Sequence, residues 1–373
     1  MEQSISIYAV GDIKVDRDNP ESIMAKVAPT LKEADITFAQ LEMNLSERGT
    51  PAFHMSTPLR CHPRNVKALT SAGIDIVSFA SNHTLDWGPD ALMDTIDIVK
   101  KNGMDIIGAG SNIEEARRPS IIERKGTKVA FLAYNSLLPP GYVADAYHPG
   151  CAPMRIRTMY EPIENQPAVP ARILSFPYPE DLEAMKQDIA KVRPLADVVV
   201  VSMHWGIHFQ PATIAMYQKT VGRAAIDAGA DIILGHHAHI LKGIDVYQGK
   251  VIFYSLGNFA MEILYEKAME RAKKYPIYST LFNIYGWKPD PAYPRYAFPA
   301  DSRKTIIAKI IISDKKIAGV SFLPAMINPQ AEPEILPRED KRFDEVVNYM
   351  KDISENQDLN VKYTIKGNEV VIS

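Results

Sequence analysis

The chain has 373 residues, 46% hydrophobic and 23% charged, with 27 Pro, 20 Gly and 2 Cys, a balance that excludes disorder, collagen-like repeats and coiled coil. A chain of this length can bury a sizeable core, and a formal net charge of -3 with no basic excess argues against a nucleic-acid partner. Cys61 and Cys151 are too few for a disulfide framework or a zinc ribbon and fit ordinary thiols in a reducing compartment. The opening run MEQSISIYAVGD shows no basic segment followed by a signal-type apolar stretch. The longest apolar runs, such as Ala196 to Met203, are of strand length, far short of the roughly 20 residues a spanning helix needs. A soluble, cytoplasmic protein with no membrane insertion is expected.

From Ile5 to about Tyr134, short β-rich runs alternate with helical stretches, which predicts an α/β architecture. Ile5–Val10, Ile36–Gln40, Ile74–Phe79, Ile106–Ile107 and Val129–Tyr134 read as strands. Pro20–Ala34, Pro63–Ala72 and Pro89–Asn102 read as helices, each opening at a proline whose missing N–H costs nothing in a first turn. Gly73 and Gly103 follow two of them, where a left-handed residue is wanted. From Leu137 to about Pro179 the periodicity disappears while prolines accumulate at 139, 140, 149, 153, 162, 167, 170, 177 and 179, the pattern of a functional loop or lid. Alternation resumes with helix Pro179–Val192, strand Val198–Met203, helix Ala212–Ala228 and strand Asp231–Leu234. A hairpin follows, Gly243–Tyr247 with Val251–Tyr254. A second aperiodic stretch, from about Met261 to Arg303, carries Tyr265, Tyr275, Tyr278, Phe282, Tyr285, Trp287, Tyr293, Tyr296 and Phe298. Strands Thr305–Ser313 and Val320–Pro324, a charged helix near Arg342–Ser354 and a terminal hairpin complete the chain. The pattern predicts one domain over residues 1–330, with irregular insertions at about 137–179 and 261–303. A C-terminal helix and hairpin extension, 331–373, packs on it.

The chemistry gathers at strand ends. Six of the nine histidines, His83, His204, His208, His236, His237 and His239, fall just after predicted strands or in the loops that follow. The carboxyl ends of strands in α/β sheets are where loops converge on ligands. Successive strands end in Gly11-Asp12, Leu41-Glu42, Ser81-Asn82-His83, His204-Trp205-Gly206 and Gly235-His236-His237-Ala238-His239. Any one of these groups reads equally as a turn former or a packed side chain. Together they would repel and be costly to desolvate unless something offset their charge. Oxygen and imidazole donors without thiolate suit Mn, Fe, Zn, Ni or Co better than Ca or Mg.

These blocks, with Asp86-Trp87-Gly88 and Tyr254-Ser255-Leu256-Gly257-Asn258-Phe259, resemble in order the CapA family over about residues 5–260. This is the poly-gamma-glutamate capsule synthesis group within the calcineurin-like metallophosphoesterase superfamily. The resemblance implies a four-layer α/β/β/α sandwich of the metallophosphoesterase type with one or two divalent transition metal ions (Mn, Zn, Fe, Ni or Co) at the sheet edge. Glu42 matches the bridging carboxylate, and Asn82, His204 and His237 match the remaining ligands of one metal. Asp12 and His239 match ligands of the other, and His83 matches the histidine that assists the leaving group. Two positions depart from the pattern: Asp12-Ile13-Lys14 stands where Asp-x-His is usual, and the bridge is Glu42 rather than Asp.

The reading that follows is a metal-dependent hydrolase. Metal-activated water would cleave a phosphoester, or an amide, peptide or lactone bond, of a small anionic or polyglutamate-like substrate, with His83 protonating the leaving group. Asp86 either orients His83 or caps the next helix. The alternative is a non-catalytic, metal-stabilised accessory protein of capsule synthesis. His83, which ligation does not need, speaks for the enzyme. His208 and His236 stand near the site as substrate or supporting groups. Arg60 and Arg64, in the loop after Glu42 with His54 and His62, either grip an anionic substrate by forked hydrogen bonds or belong to a solvated loop. Gly257-Asn258 reads as a turn, with Asn258 available beside the site. The aromatic stretch reads as a pocket wall, a dimer contact in a homo-oligomer, or ordinary packing.

Overall fold

The structure is a computed structural model that describes residues 4–164 and 169–373; Pro167 of the aperiodic run lies outside the described residues. Two sheets are built from apolar runs whose alternate residues enter different cores, the pattern of strands buried on both faces. In the first sheet, Ile5–Lys14, Ile36–Leu41, Ile76–Ser78 and Asp105–Ile107 run parallel in that order. On the other side of Ile5–Lys14, the strand Lys304–Ser313 pairs antiparallel, followed by Lys316–Ile327 and the terminal hairpin Tyr363–Lys366 and Glu369–Ile372. The second sheet has Thr127–Asn135, Val198–His204, Ile232–His236 and Lys250–Phe253 in parallel. Ser120–Arg124 and Ile244–Tyr247 add antiparallel edges.

The sheets face each other across a core that holds Ile7, Ala9, Phe38, Phe131, Val200, Ile232 and Leu234. Phe38 and Phe131 stack across it with ring centroids 6.0 Å apart. Val10, Leu41 and Phe79 point the other way, onto helices Val66–Ala72 and Gly88–Lys101. Val199, Val201 and Ile233 pack on helices Pro179–Val192 and Met216–Asp227. The order is therefore helix, sheet, sheet, helix, the four-layer sandwich. Helix Lys341–Glu355 adds Phe343, Val346 and Met350 to the central core.

Several elements differ from their sequence patterns for identifiable reasons. The expected helix Pro20–Ala34 is a 3-10 turn at Pro20–Met24 and one α-turn at Ala28–Leu31, because Pro29 cannot donate within a continuous helix. The helix expected from Ala212 starts at Met216, since Ala212 is left-handed at φ 45°. The first insertion contains an exposed hairpin, Ile156–Pro162 with Ala171–Pro177, and the second contains helices Tyr265–Lys274 and Pro276–Tyr285. In the last of these, Ile277 and Ile284 face outward, 54% and 65% exposed, while Tyr278, Phe282 and Tyr285 line a cavity, so no single apolar stripe shows in the sequence. No helix among the described residues is long and apolar enough to cross a membrane.

Gly11 is where the fold positions Asp12. A Cβ at Gly11 would lie 1.9 Å from the carbonyl oxygen of Gly257, whose turn, at φ 70°, delivers Asn258–Met261 as a parallel neighbour of Ile5–Lys14. Gly11→Ala is expected to push this turn away and lower the melting temperature; an unchanged melting curve would contradict the close approach. Phe131→Ala, which empties the centre of the inter-sheet core, is expected to cost about 3–5 kcal/mol in denaturant unfolding.

Candidate metal centre

Asp12 lies near the end of the first strand, Glu42 directly after the second, and Asn82 and His83 in the turn after the third. The second sheet supplies His204 at the end of one strand and His236 at the end of the next, opposite each other in register. Sheet packing brings these ends together: His204 Nε2 lies 3.5 Å from Glu42 Oε1, and His236 Nδ1 lies 3.5 Å from Asp12 Oδ1. His237 and His239 both adopt left-handed backbone, at φ 85° and 55°, a strained geometry for side chains with a Cβ.

Two groups of potential ligand atoms result, each lying within 4.8 Å of one another: Glu42, His204 and His237, and Asp12, Glu42 and His239. Glu42 belongs to both. Asn82 Oδ1 joins the first group 2.7 Å from His204 Nε2. In the second, His239 Nδ1 lies 3.4 Å from Asp12 Oδ2 and 3.8 Å from Glu42 Oε2, and 2.8 Å from Asn258 Oδ1. Asn258 in turn donates to Tyr296 Oη at 2.9 Å. Lys14, which stands where an imidazole was expected, turns away to Asp16 at 3.7 Å, whereas His236 approaches Asp12 from the other sheet.

Burial makes this cluster demanding. Asp12, Glu42 and His204 are fully buried, yet Asp12 Oδ1, both Glu42 oxygens and one nitrogen each of His204 and His237 have no hydrogen-bond partner among the described residues. Desolvation drives His204 and His237 well below the usual imidazole range, which keeps them neutral, the state that ligation requires. Burial pushes Glu42 up to about 7, with the Asp12 charge adding to the effect and His239 opposing it. Burial would also raise Asp12, but the nearby His236 and His239 imidazoles hold it below the usual carboxylate range. Burial acts to lower His239, and the negative charge of Glu42 and Asp12 overcomes it, raising the group to about 9. The two carboxylates thus demand positive charge, and the unpartnered oxygen and nitrogen atoms fit a divalent transition metal.

His83 stands beside these groups. Its Nδ1 is 2.6 Å from Asp86 Oδ2, an oxygen that also accepts from the Leu59 N–H at 2.6 Å, while Tyr142 Oη donates to Asp86 Oδ1 at 2.8 Å. Burial works to lower His83 and the Asp86 charge more than offsets it. Asp86 does not cap the following helix, Gly88–Lys101, whose N-cap position is Trp87 with no side-chain cap.

Other sequence candidates sort by contact. His208 comes into the cluster, its ring stacked on His237 at 3.9 Å and 5.1 Å from His239. Desolvation lowers it well below the usual imidazole range. Arg60 does not come in: its guanidinium lies over the Trp87 ring at 3.5 Å and donates to the carbonyls of Glu47 and Arg48, so its charge is spent outside the site. Arg64 binds Asp18 at 2.8 Å, and His62 faces Glu47. His54 does reach the cavity, edge-on to Tyr142 with centroids 5.6 Å apart. Tyr142 had no signal in the sequence, because it lies in the aperiodic, proline-rich stretch.

Comparison with known proteins agrees with this arrangement of motifs. The model of the family described as "Bacterial capsule synthesis protein PGA_cap" matches residues 6–262. The "PGA biosynthesis protein CapA" of Bacillus subtilis (strain 168) is 29% identical over 268 residues, 69% of this chain and 63% of its own. The "Capsule biosynthesis protein CapA" of Bacillus anthracis is 28% identical over 271 residues, 70% of this chain and 60% of its own. The chain therefore spans less than two thirds of the length of these relatives. The crystal structure of calcineurin-like phosphoesterase YfkN from Bacillus subtilis covers 96% of this chain and 98% of its own at 14% identity and a TM-score of 0.42. With its family match running from the first strand to the strand that carries Asn258, the chain belongs to the bacterial capsule synthesis protein PGA_cap family.

Proposed function

We propose that the chain is a metal-dependent hydrolase that cleaves a phosphoester, or an amide, peptide or lactone bond, of a small anionic substrate. The observation that carries this reading is the pair of buried ligand groups sharing Glu42, with the His83–Asp86 pair beside them. Asp12, Glu42, Asn82, His204, His237 and His239 would hold one or two divalent ions of Mn, Zn, Fe, Ni or Co. Such an ion, when bound, supplies Lewis-acid charge to a substrate oxygen and acidifies a water molecule.

The chain's own groups do the rest. Asp86, fixed by Leu59 and Tyr142, holds His83 by Nδ1 and leaves Nε2 as the nitrogen available toward the cavity that His83 lines. Water oxygen bonds to the acyl carbon or phosphorus as one water proton passes to solvent, which in turn reprotonates His83 after the cycle, and the bond to the leaving oxygen or nitrogen breaks. That leaving atom takes its proton from His83. His208, stacked on His237, fixes the imidazole edge of the site and limits water there. An accessory protein would need the metal ligands for stability but not a carboxylate-oriented imidazole beside them.

The test is a panel of phosphoesters, amides and lactones assayed with metal-reconstituted protein. His83→Ala is expected to lose about 10²–10⁴-fold in turnover with metal content, read by elemental mass spectrometry, unchanged. Wild-type turnover in that variant would remove His83 from the mechanism. No turnover on any of these bonds by the reconstituted wild type would leave the accessory reading. Asp86→Asn is expected to lower kcat about 10–100-fold with KM little changed, since it orients His83 without touching substrate; a change in KM alone would contradict that role.

A further inference from the structure

The ten-residue helix Pro276–Tyr285 contributes no fully buried residue, although Tyr278, Leu281, Phe282 and Tyr285 all line one cavity. The cavity measures about 340 Å³ and reaches Glu42, Asn82, His83 and His239. That volume sits at the lower end of the roughly 300–1,000 Å³ of small-molecule sites. Its other wall is aromatic: Phe209, itself left-handed at φ 52°, meets Trp287 with centroids 5.2 Å apart and Phe298 at 6.2 Å. Phe298 then lies 5.2 Å from His239, so the aromatic wall runs directly into the candidate metal centre.

Polar groups away from that centre are few: His54, whose two nitrogens lack a partner among the described residues, Trp287 Nε1, likewise without one, and the hydroxyls and the guanidinium that follow. Tyr278 Oη bonds Ser56 Oγ at 2.8 Å and also Thr57 Oγ1, tying the helix to the 51–59 loop across the cavity. Arg271 is the one guanidinium or ammonium group among the lining residues, and its guanidinium carbon lies 5.9 Å from the Tyr278 ring centroid. No carboxylate pairs with it among the described residues. A chain of glutamates would bring a carboxylate with every unit, whereas away from the candidate metal centre the lining offers one guanidinium and the His54 imidazole amid mostly apolar and aromatic surface. An aromatic or branched apolar group would instead replace water along both walls, where such contacts are strongest.

We propose, resting on the hydrolase reading, that the substrate is a small ester, amide or phosphoester whose bulky apolar or aromatic part fills this cavity. It carries a single carboxylate held by Arg271, and it is not a polyglutamate chain. Phe209, Tyr285 and Trp287 select for the apolar part, and Arg271 selects for the charge.

The test is calorimetric titration of the intact, metal-replete protein with 4-phenylbutyrate, 4-phenylbutanamide and penta-γ-glutamate. Saturable binding of both aromatic compounds and none of the penta-γ-glutamate is expected. Trp287→Leu and Tyr285→Leu, both at partly exposed positions, are expected to weaken both aromatic compounds. Arg271→Met is expected to weaken only the acid, by about tenfold, the loss of one charge-assisted contact. The proposal is overturned if penta-γ-glutamate binds more tightly than 4-phenylbutyrate, if neither aromatic compound binds, or if Arg271→Met leaves the acid's affinity unchanged. Binding needs no turnover. Protein that binds the aromatic compounds and hydrolyses nothing would refute the hydrolase reading while leaving the ligand class of the cavity standing.

Discussion

Two carboxylates, Asp12 and Glu42, sit without solvent at the line where two sheets meet, and the arrangement around them follows from their need for positive charge. An unpaired buried carboxylate costs several kcal/mol, so a fold that places two side by side must supply a compensating charge or lose them to protonation. The imidazoles of the second sheet only partly answer that need. His239 is drawn up to about 9 by the two carboxylates, while His204 and His237 are neutral and offer lone pairs rather than charge. A divalent ion satisfies both halves at once.

The scaffold delivers this cluster by strand length and little else. Parallel strands buried on both faces end at one edge, and the residue at or just past each end is polar because the sandwich stops there. Among the ligand candidates, left-handed backbone falls on His237 and His239, in the loop after the strand that ends in His236. Gly11 and Gly257 allow the strand bearing Asn258 to approach closely enough for that amide to hold His239.

This explains what could be read from the sequence. Asp12, Glu42, Asn82, His204, His237 and His239 stood out as polar groups at the ends of apolar runs of strand length, which also gave the α/β alternation, while the four-layer sandwich and the ligand set came from the resemblance of the motifs. His208 was less so, since its approach depends on a left-handed Phe209 that no local pattern signals. Arg60 was left open between gripping a substrate and a solvated loop, because its partner, Trp87, is distant in sequence and the two meet only in the fold. Tyr142, which holds Asp86, lies in a stretch with neither period. The helix Pro276–Tyr285 was invisible as a helix because its apolar residues lie on both the cavity face and the outer face. Residues that recognise a ligand keep apolar groups out of the core, and periodicity reports only on the core.

The site depends on metal bound by the groups that share Glu42, as one ion or two. The most direct measurement is anomalous diffraction, at the metal's absorption edge, from crystals grown with Mn or Zn. An anomalous peak is expected between Glu42, His204 and His237, alone or with a second between Glu42, Asp12 and His239. An edge scan with no anomalous peak among these residues, from protein that is folded and supplied with metal, would contradict it.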